Sequence, residues 1–274
     1  MKIDMFTFIA NGCSDYAELL HRSCEAFRSS NHTIKYKAIE TNGGSNEWPD
    51  VWEKVATTGD YEHGSLNHAI AIHKAIELSE SDITIIADCD MCILFKNWDC
   101  FIIDKLKKFG VVGVGYSDYR TAKYYNFPTP HFMCFRKLPV KLDFSPEIKG
   151  ENVERINIKT KAQEKTYCKN IGEQVKCDTG FKNVSICKNA GINSFTMKQV
   201  YNFQNSKLPF RDVNQKKIVL KYPMQHSEWH CNGGLFATHK QKCTVKGHEI
   251  DSINGKIWID RINMFTKKWH GFML

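Results

Sequence analysis

Two carboxylates one residue apart, Asp88 and Asp90, close an apolar run, Ile83-Thr84-Ile85-Ile86-Ala87. Like charges at that spacing repel, and solubility does not call for two of them where a buried strand ends. Residues i and i+2 of an extended chain project to the same side, so both carboxylates can face one point. A hard divalent cation between them accounts for the pair. Mg²⁺ takes one or two protein carboxylates and completes its shell with water and phosphate. Mn²⁺ accepts the same oxygens and also tolerates imidazole. The alternative is a plain strand end, with Asp90 solvated.

Three other groups could do chemistry. In the late segment YPMQHSEWHCNGGLF, His226 and His230 are four residues apart. A zinc-peptidase pair would need Glu directly after the first His, on a helix; here Ser227 follows, and Pro223 and Gly233-Gly234 flank the pair. Asp178, ahead of Thr179-Gly180, reads either as a helix N-cap or as a general base that could deprotonate a hydroxyl. The segment FPTPHFMCFRK (127–137) suits an aromatic sugar pocket or a core strand. The lone C-x-x-C, Cys89 to Cys92, has no second pair at zinc-site spacing.

The elements that must position these residues alternate in type. Lys2–Ala10 and Thr33–Ile39 read as strands, the second ending at Glu40. Between them Tyr16, Leu19, Leu20, Cys24 and Phe27 form a helical stripe behind Ser14 as N-cap. A second helix opens at Gly64-Ser65, with Leu66, Ala69, Ile70, His73 and Ile76 as its buried stripe. Ile83–Ala87 is the third strand; Asp99 caps a helix to Leu106; VVGVG (111–115) is a fourth strand. Its glycines do not form a phosphate loop, because no helix pattern follows them. Further on, Thr179–Ala190 reads as a helix and 216–225 as a strand that Pro223 confines to an edge. Strand–helix alternation predicts an α/β fold with a mixed, mainly parallel sheet flanked by helices. With no repeat or low-complexity linker, 1–274 reads as one domain.

Bulk properties exclude several classes. The 274 residues are 42% hydrophobic and 25% charged, with a net charge of +8. No apolar run reaches the ~18 residues of a membrane helix. The basic residues are dispersed, which argues against a nucleic-acid tail and is compatible with an anionic small ligand. An odd number of cysteines, 11, with no export signal at the N-terminus, predicts reduced thiols and a cytoplasmic location.

The segment GSLNHAIAIHKAIELSESDITIIADCDMCI (64–93) is similar to the helix and D-x-D strand of GT-A-fold glycosyltransferases. That resemblance implies a nucleotide-sugar-binding half over 1–115 and an acceptor-binding half over 116–274. It implies Mn²⁺ or Mg²⁺ as cofactor, with Asp88 near the donor ribose or a metal-bound water and Asp90 on the metal. Donor contacts would come from Asn11, Glu40, Ser65, His68, Asp88 and Cys89. Many such enzymes add a late His at H-x-x-G spacing, which maps to His230 ahead of Gly233 and passes over His226. The Lys and Pro-Trp that some retaining families place after that Gly are missing from Leu235–Thr238. The implied reaction moves a sugar from a UDP-sugar, or a GDP-sugar, to a glycan or other hydroxyl acceptor, with Asp178 as base. Two alternatives stand beside it. One is a haloacid-dehalogenase-type phosphatase, although Cys92 falls where that motif continues with Thr or Val. The other is a non-catalytic sugar-binding protein.

Overall fold

The computed structural model describes residues 1–41, 48–59, 64–115, 127–148, 175–177, 179–203, 210–211, 217–218, 226–240 and 250–272. Its centre is a ten-stranded sheet. Strands β1 (Lys2–Ile9), β2 (Thr33–Glu40), β3 (Glu53–Thr57) and β4 (Ile83–Asp88) lie parallel in the order β3-β2-β1-β4. Next to β4 comes β7 (Phe132–Phe135), antiparallel to it and to β6 (Val111–Gly115). Then follow β10 (Ser194–Phe203), parallel to β6, and an antiparallel set of β13 (His226–Cys231), β14 (Gly234–His239) and the short β5 (Met91–Ile93). Two small ribbons stand apart, β8 (Glu147–Ile148) with β9 (Val175–Cys177) and β11 (Phe210–Arg211) with β12 (Lys217–Ile218). Of the strand expected over 216–225, the described part lies in that last ribbon.

β1 is buried along its length after Lys2, as a central parallel strand covered on both faces must be. One face is covered by α1 (Ser14–Phe27), whose buried residues Tyr16, Leu19, Leu20, Cys24 and Phe27 are the stripe expected from the sequence. Each large apolar side chain there contributes about 1.5–3 kcal/mol on burial. The other face carries α2 (Gly64–Leu78). Its buried residues are Asn67, Ala69, Ala71, Ile72 and Ala75, so the helix is rotated from the expected stripe and Ile70, His73 and Ile76 sit at its margins. Small alanines let α2 lie close to the sheet.

Capping differs from expectation in two places. Cys13 precedes α1 with no side-chain cap, and Ser14 is the first helical residue. Asp99, in the first turn of α3 (Trp98–Leu106), does not cap that helix: it accepts from Ser29 N at 2.8 Å and Ser29 Oγ at 2.6 Å, tying the end of α1 to α3. The helix expected over 179–190 is shorter, α4 (Asn183–Asn189).

A last helix, α5 (Ile253–His270), is capped by Ser252, whose side chain accepts from Gly255 N at 3.1 Å, and ends at Gly271 with φ 78°. It braces the β13–β14 hairpin. Trp258, fully buried, donates to Thr238 Oγ1 at 3.0 Å, and Arg261 holds buried Glu228 through two hydrogen bonds. The hairpin turns at Asn232 (φ 47°) and Gly233 (φ 79°), the two positive φ values that a type I′ turn requires. The glycines of β6 serve close packing: a Cβ on Gly113 would stand 2.2 Å from the Phe132 carbonyl oxygen, and one on Gly115 2.2 Å from Thr196 Cγ2.

Candidate functional site

The carboxyl ends of the parallel strands form one edge of the sheet. Register sets Phe8 opposite Asp88 and Ile9 opposite Glu40, so Glu40 and Asp88 flank β1 at that edge, about 10 Å apart for two inter-strand steps. In open α/β sheets this is where ligands sit. Beyond Asp88 the chain turns through Cys89 and Asp90. It then leaves its neighbours in the parallel half and runs as β5 along β14. The backbone locks this turn: Asp88 N donates to His131 O at 2.9 Å, and Lys240 N donates to Asp90 O at 2.9 Å.

Those two contacts bring imidazoles to the carboxylates. His131 Nδ1 is 2.6 Å from Asp88 Oδ2, and His68 Nε2, on the first turns of α2, is 3.1 Å from Asp88 Oδ1. His239 Nε2, at the end of β14, is 2.8 Å from Asp90 Oδ1 and 3.5 Å from Asp88 Oδ2. The His131 and His239 rings lie 4.6 Å apart, and His68 meets the Phe8 ring edge-on at 5.1 Å. Burial alone would raise the Asp88 carboxyl, but the charges of His68 and His131 and hydrogen bonds from both hold it well below the usual carboxylate range. Burial likewise opposes ionisation of Asp90; His239 outweighs both it and the neighbouring Asp88 charge, and the Asp90 carboxyl is lowered.

This arrangement fits a divalent ion. One ligand atom each from Asp88, His131 and His239 lies within 4.8 Å of the others, and Asp90, outside that trio, reaches it through His239 Nε2 at 2.8 Å. Neighbouring ligand atoms of an octahedral ion bonded at about 2.1 Å stand about 3.0 Å apart, close to the 2.8 and 3.5 Å that separate His239 from the two carboxylates.

The residues singled out from the sequence fall into distinct groups. Asp88, Asp90 and His68 come together. Glu40, 6% exposed, stands on the same edge, bonded to Lys54 and, at 3.0 Å, to Thr57 Oγ1. Asn11 is exposed in the turn after β1, and the Ser65 carbonyl accepts from Thr179 Oγ1 at 3.0 Å. Cys89 is 5% exposed with its side chain in the hydrophobic core, so any donor contact from it is through its backbone. His230 does not join the carboxylates. It pairs with Leu235 near the hairpin turn, whereas His239 pairs with Ser227, three residues or about 10 Å along β13. Asp178 lies outside the described residues. The 127–137 segment resolves toward the core, since Phe127, Thr129 and Phe132–Phe135 are all buried.

Sequence reasoning missed His131 and His239. The signal for His239 was the Asn232-Gly233 dipeptide, the strongest short-range hairpin mark. Read as a turn, it folds Gly234–His239 back along His226–Cys231 and carries His239 away from the loop. His131 had no local signal beyond its place just before an apolar run.

No protein-family model and no curated protein sequence matches this chain. Among solved structures it is similar to the mannosyltransferase PcManGT from Pyrobaculum calidifontis in complex with GDP-Man and Mn²⁺, at 9% identity and a TM-score of 0.37 over 49% of this chain and 44% of that one. The galactosyltransferase LgtC, in complex with donor and acceptor sugar analogues, matches at 10% identity and a TM-score of 0.35, over 48% of this chain and 57% of its own. A protein assigned as a nucleotide-diphospho-sugar transferase, from Desulfovibrio desulfuricans G20, matches at 10% identity and a TM-score of 0.40, over 72% and 79% of the two chains. The chain thus spans less than two thirds of the length of the first two.

Proposed function

We propose that this chain is a metal-dependent glycosyltransferase of the GT-A type, moving a sugar from a nucleotide-sugar donor to a hydroxyl acceptor. The observation that carries this reading is the convergence of Asp88 and Asp90 on His239 at the carboxyl edge of a parallel sheet, with His131 sharing Asp88 Oδ2 and His68 on Asp88 Oδ1. Asp88, Asp90 and His239 would hold the ion, with His131 orienting Asp88. The imidazoles favour Mn²⁺ over Mg²⁺, which keeps to oxygen ligands and water. When bound, the ion supplies Lewis-acid neutralisation of the diphosphate that leaves as the glycosidic bond breaks.

The chain's own groups do the rest. The amino end of α2 opens at the same edge, where its dipole favours an anion such as the donor diphosphate. Glu40, held by Lys54 and Thr57, and Asn11 form the wall for the nucleotide base, with UDP-sugars favoured and GDP-sugars next. Asp178, outside the described residues, would take the acceptor proton. A phosphatase using Asp88 as nucleophile is less consistent with the geometry, because imidazoles engage both Asp88 oxygens.

The test is release of nucleoside diphosphate from UDP-, GDP- and CMP-sugars with Mn²⁺, run beside hydrolysis of a simple phosphate monoester. The proposal expects metal-dependent turnover of one nucleotide sugar and its loss in Asp90→Ala. Phosphate-monoester turnover without nucleotide-sugar cleavage would replace it with the phosphatase. Binding of sugar with no nucleotide dependence would replace it with a lectin-like role.

A further inference from the structure

We propose that His32, Asp99 and Cys100 form a second metal site, for a thiolate-binding divalent ion of the Zn²⁺ class. It lies at the opposite edge of the sheet from Asp88 and Asp90. His32 directly precedes the first residue of β2, and Glu40 is the last, so the eight-residue strand sets the two edges about 25 Å apart.

Four observations carry the assignment. First, one ligand atom from each of His32, Asp99 and Cys100 lies within 4.8 Å of the other two. Second, His32 Nε2 and Cys100 Sγ are 3.6 Å apart. Zinc bonds of about 2.3 Å to sulfur and about 2.05 Å to nitrogen at a tetrahedral angle also give about 3.6 Å. Third, the Asp99 carboxylate is fully buried, and no lysine or arginine pairs with it among the described residues. It is oriented by Ser29 N and Ser29 Oγ, as outer hydrogen bonds orient a ligating carboxylate, and a buried anion of this kind is costly without a cation. Fourth, His32 Nδ1 is buried with no hydrogen-bond partner among the described residues, so among them only the contact of Nε2 with Cys100 Sγ holds the ring.

The donor set selects the ion. Thiolate and imidazole suit Zn²⁺ and Co²⁺ and exclude Mg²⁺ and Ca²⁺. Of the eight cysteines with described side chains, Cys100 alone is not buried, which leaves an entry path and room for water as fourth ligand. Cys100 Sγ, 3.2 Å from Ser29 Oγ, would give up its proton to solvent on binding. The ion would join the residues after α1 to the start of α3, reinforcing the link that Ser29 and Asp99 already make.

Co²⁺ is the probe. The full-length, reduced, metal-stripped protein is titrated with Co²⁺ and followed by absorption, with circular dichroism confirming that each variant is folded. One equivalent should give a thiolate-to-cobalt charge-transfer band and the intense visible bands of a four-coordinate ion, both erased by Zn²⁺. The charge-transfer band should persist in an Asp88→Ala/Asp90→Ala variant and vanish in Cys100→Ser. His32→Gln, which keeps the thiol, should weaken Co²⁺ binding at least tenfold. The proposal is overturned if wild-type protein shows no such band, meaning a hydrogen-bonded thiol only. It is equally overturned if the band survives in Cys100→Ser or keeps its affinity in His32→Gln.

Discussion

Removing the His239 imidazole should cost the site most of its affinity for Mn²⁺. His239 Nε2 is the atom that both carboxylates approach, at 2.8 Å for Asp90 and 3.5 Å for Asp88. Loss of a group that merely orients a ligand weakens metal binding 10- to 100-fold. Loss of the ligand itself should therefore weaken it by about 100-fold or more, or about 2.8 kcal/mol at 1.4 kcal/mol per decade. His239 is 4% exposed, so His239→Ala also leaves a cavity; His239→Gln keeps most of the volume and separates ligation from packing. Calorimetric titration with Mn²⁺ in the presence of UDP or GDP reads the affinity directly. His131→Ala should cost less, about tenfold, because it orients Asp88. His230→Ala should stay within about twofold of wild type, since the hairpin register sets His230 three residues, or about 10 Å, along β13 from the position opposite His239. Unchanged Mn²⁺ affinity in both His239 variants would refute this reasoning, as would a selective loss in His230→Ala.

Two further outcomes concern the frame around the site. Asp4, fully buried on β1, accepts from Glu80 N at 2.8 Å and Ser81 N at 3.1 Å and pairs with Lys37 at 3.2 Å, clipping the α2–β4 turn. Asp4→Asn leaves Lys37 without its counter-charge and should cost about 3 kcal/mol in urea unfolding. Burial raises the Asp4 carboxyl, but hydrogen bonds from Glu80 and Ser81 and the Lys37 charge outweigh it, and its pKa is lowered. The unfolded chain therefore binds the proton more readily. The stabilisation is fully present above the ordinary value of about 3.9 and is lost as pH falls through the lower folded value, so the gap between wild type and Asp4→Asn should narrow on acidification. Gly113→Ala should destabilise by about 3 kcal/mol, because the added methyl meets a backbone oxygen of β7 that cannot swing aside; equal thermal midpoints would show that β6 and β7 can separate at small cost.

Much of this was legible in the sequence where local pattern decides structure. The α1 stripe follows from helical spacing, and Asp88 and Asp90 are placed at a strand end by the β-branched run before them. What escaped depends on contacts distant in sequence. His239 reaches Asp90 across 149 positions, through a turn whose glycine also fits a ligand motif that begins at His230. Asp99 has the type and place of a helix cap, yet Ser29, 70 positions earlier, offers it two donors at once. The α2 stripe is offset because alanines, weak signals in any hydrophobicity pattern, make the closest approach to the sheet. Gly113 and Gly115 follow the same logic: their meaning lies in the strands beside them.

Anomalous diffraction from crystals soaked with Mn²⁺ and a nucleoside diphosphate tests the central claim most directly. The account predicts a single strong manganese peak at the carboxyl edge of β4, within about 2.0–2.3 Å of an oxygen from Asp88 or Asp90 and of His239 Nε2, with diphosphate oxygens completing its shell. A manganese peak elsewhere with these side chains still bonded to one another, or nucleotide bound at this edge with no ion beside it, would contradict it.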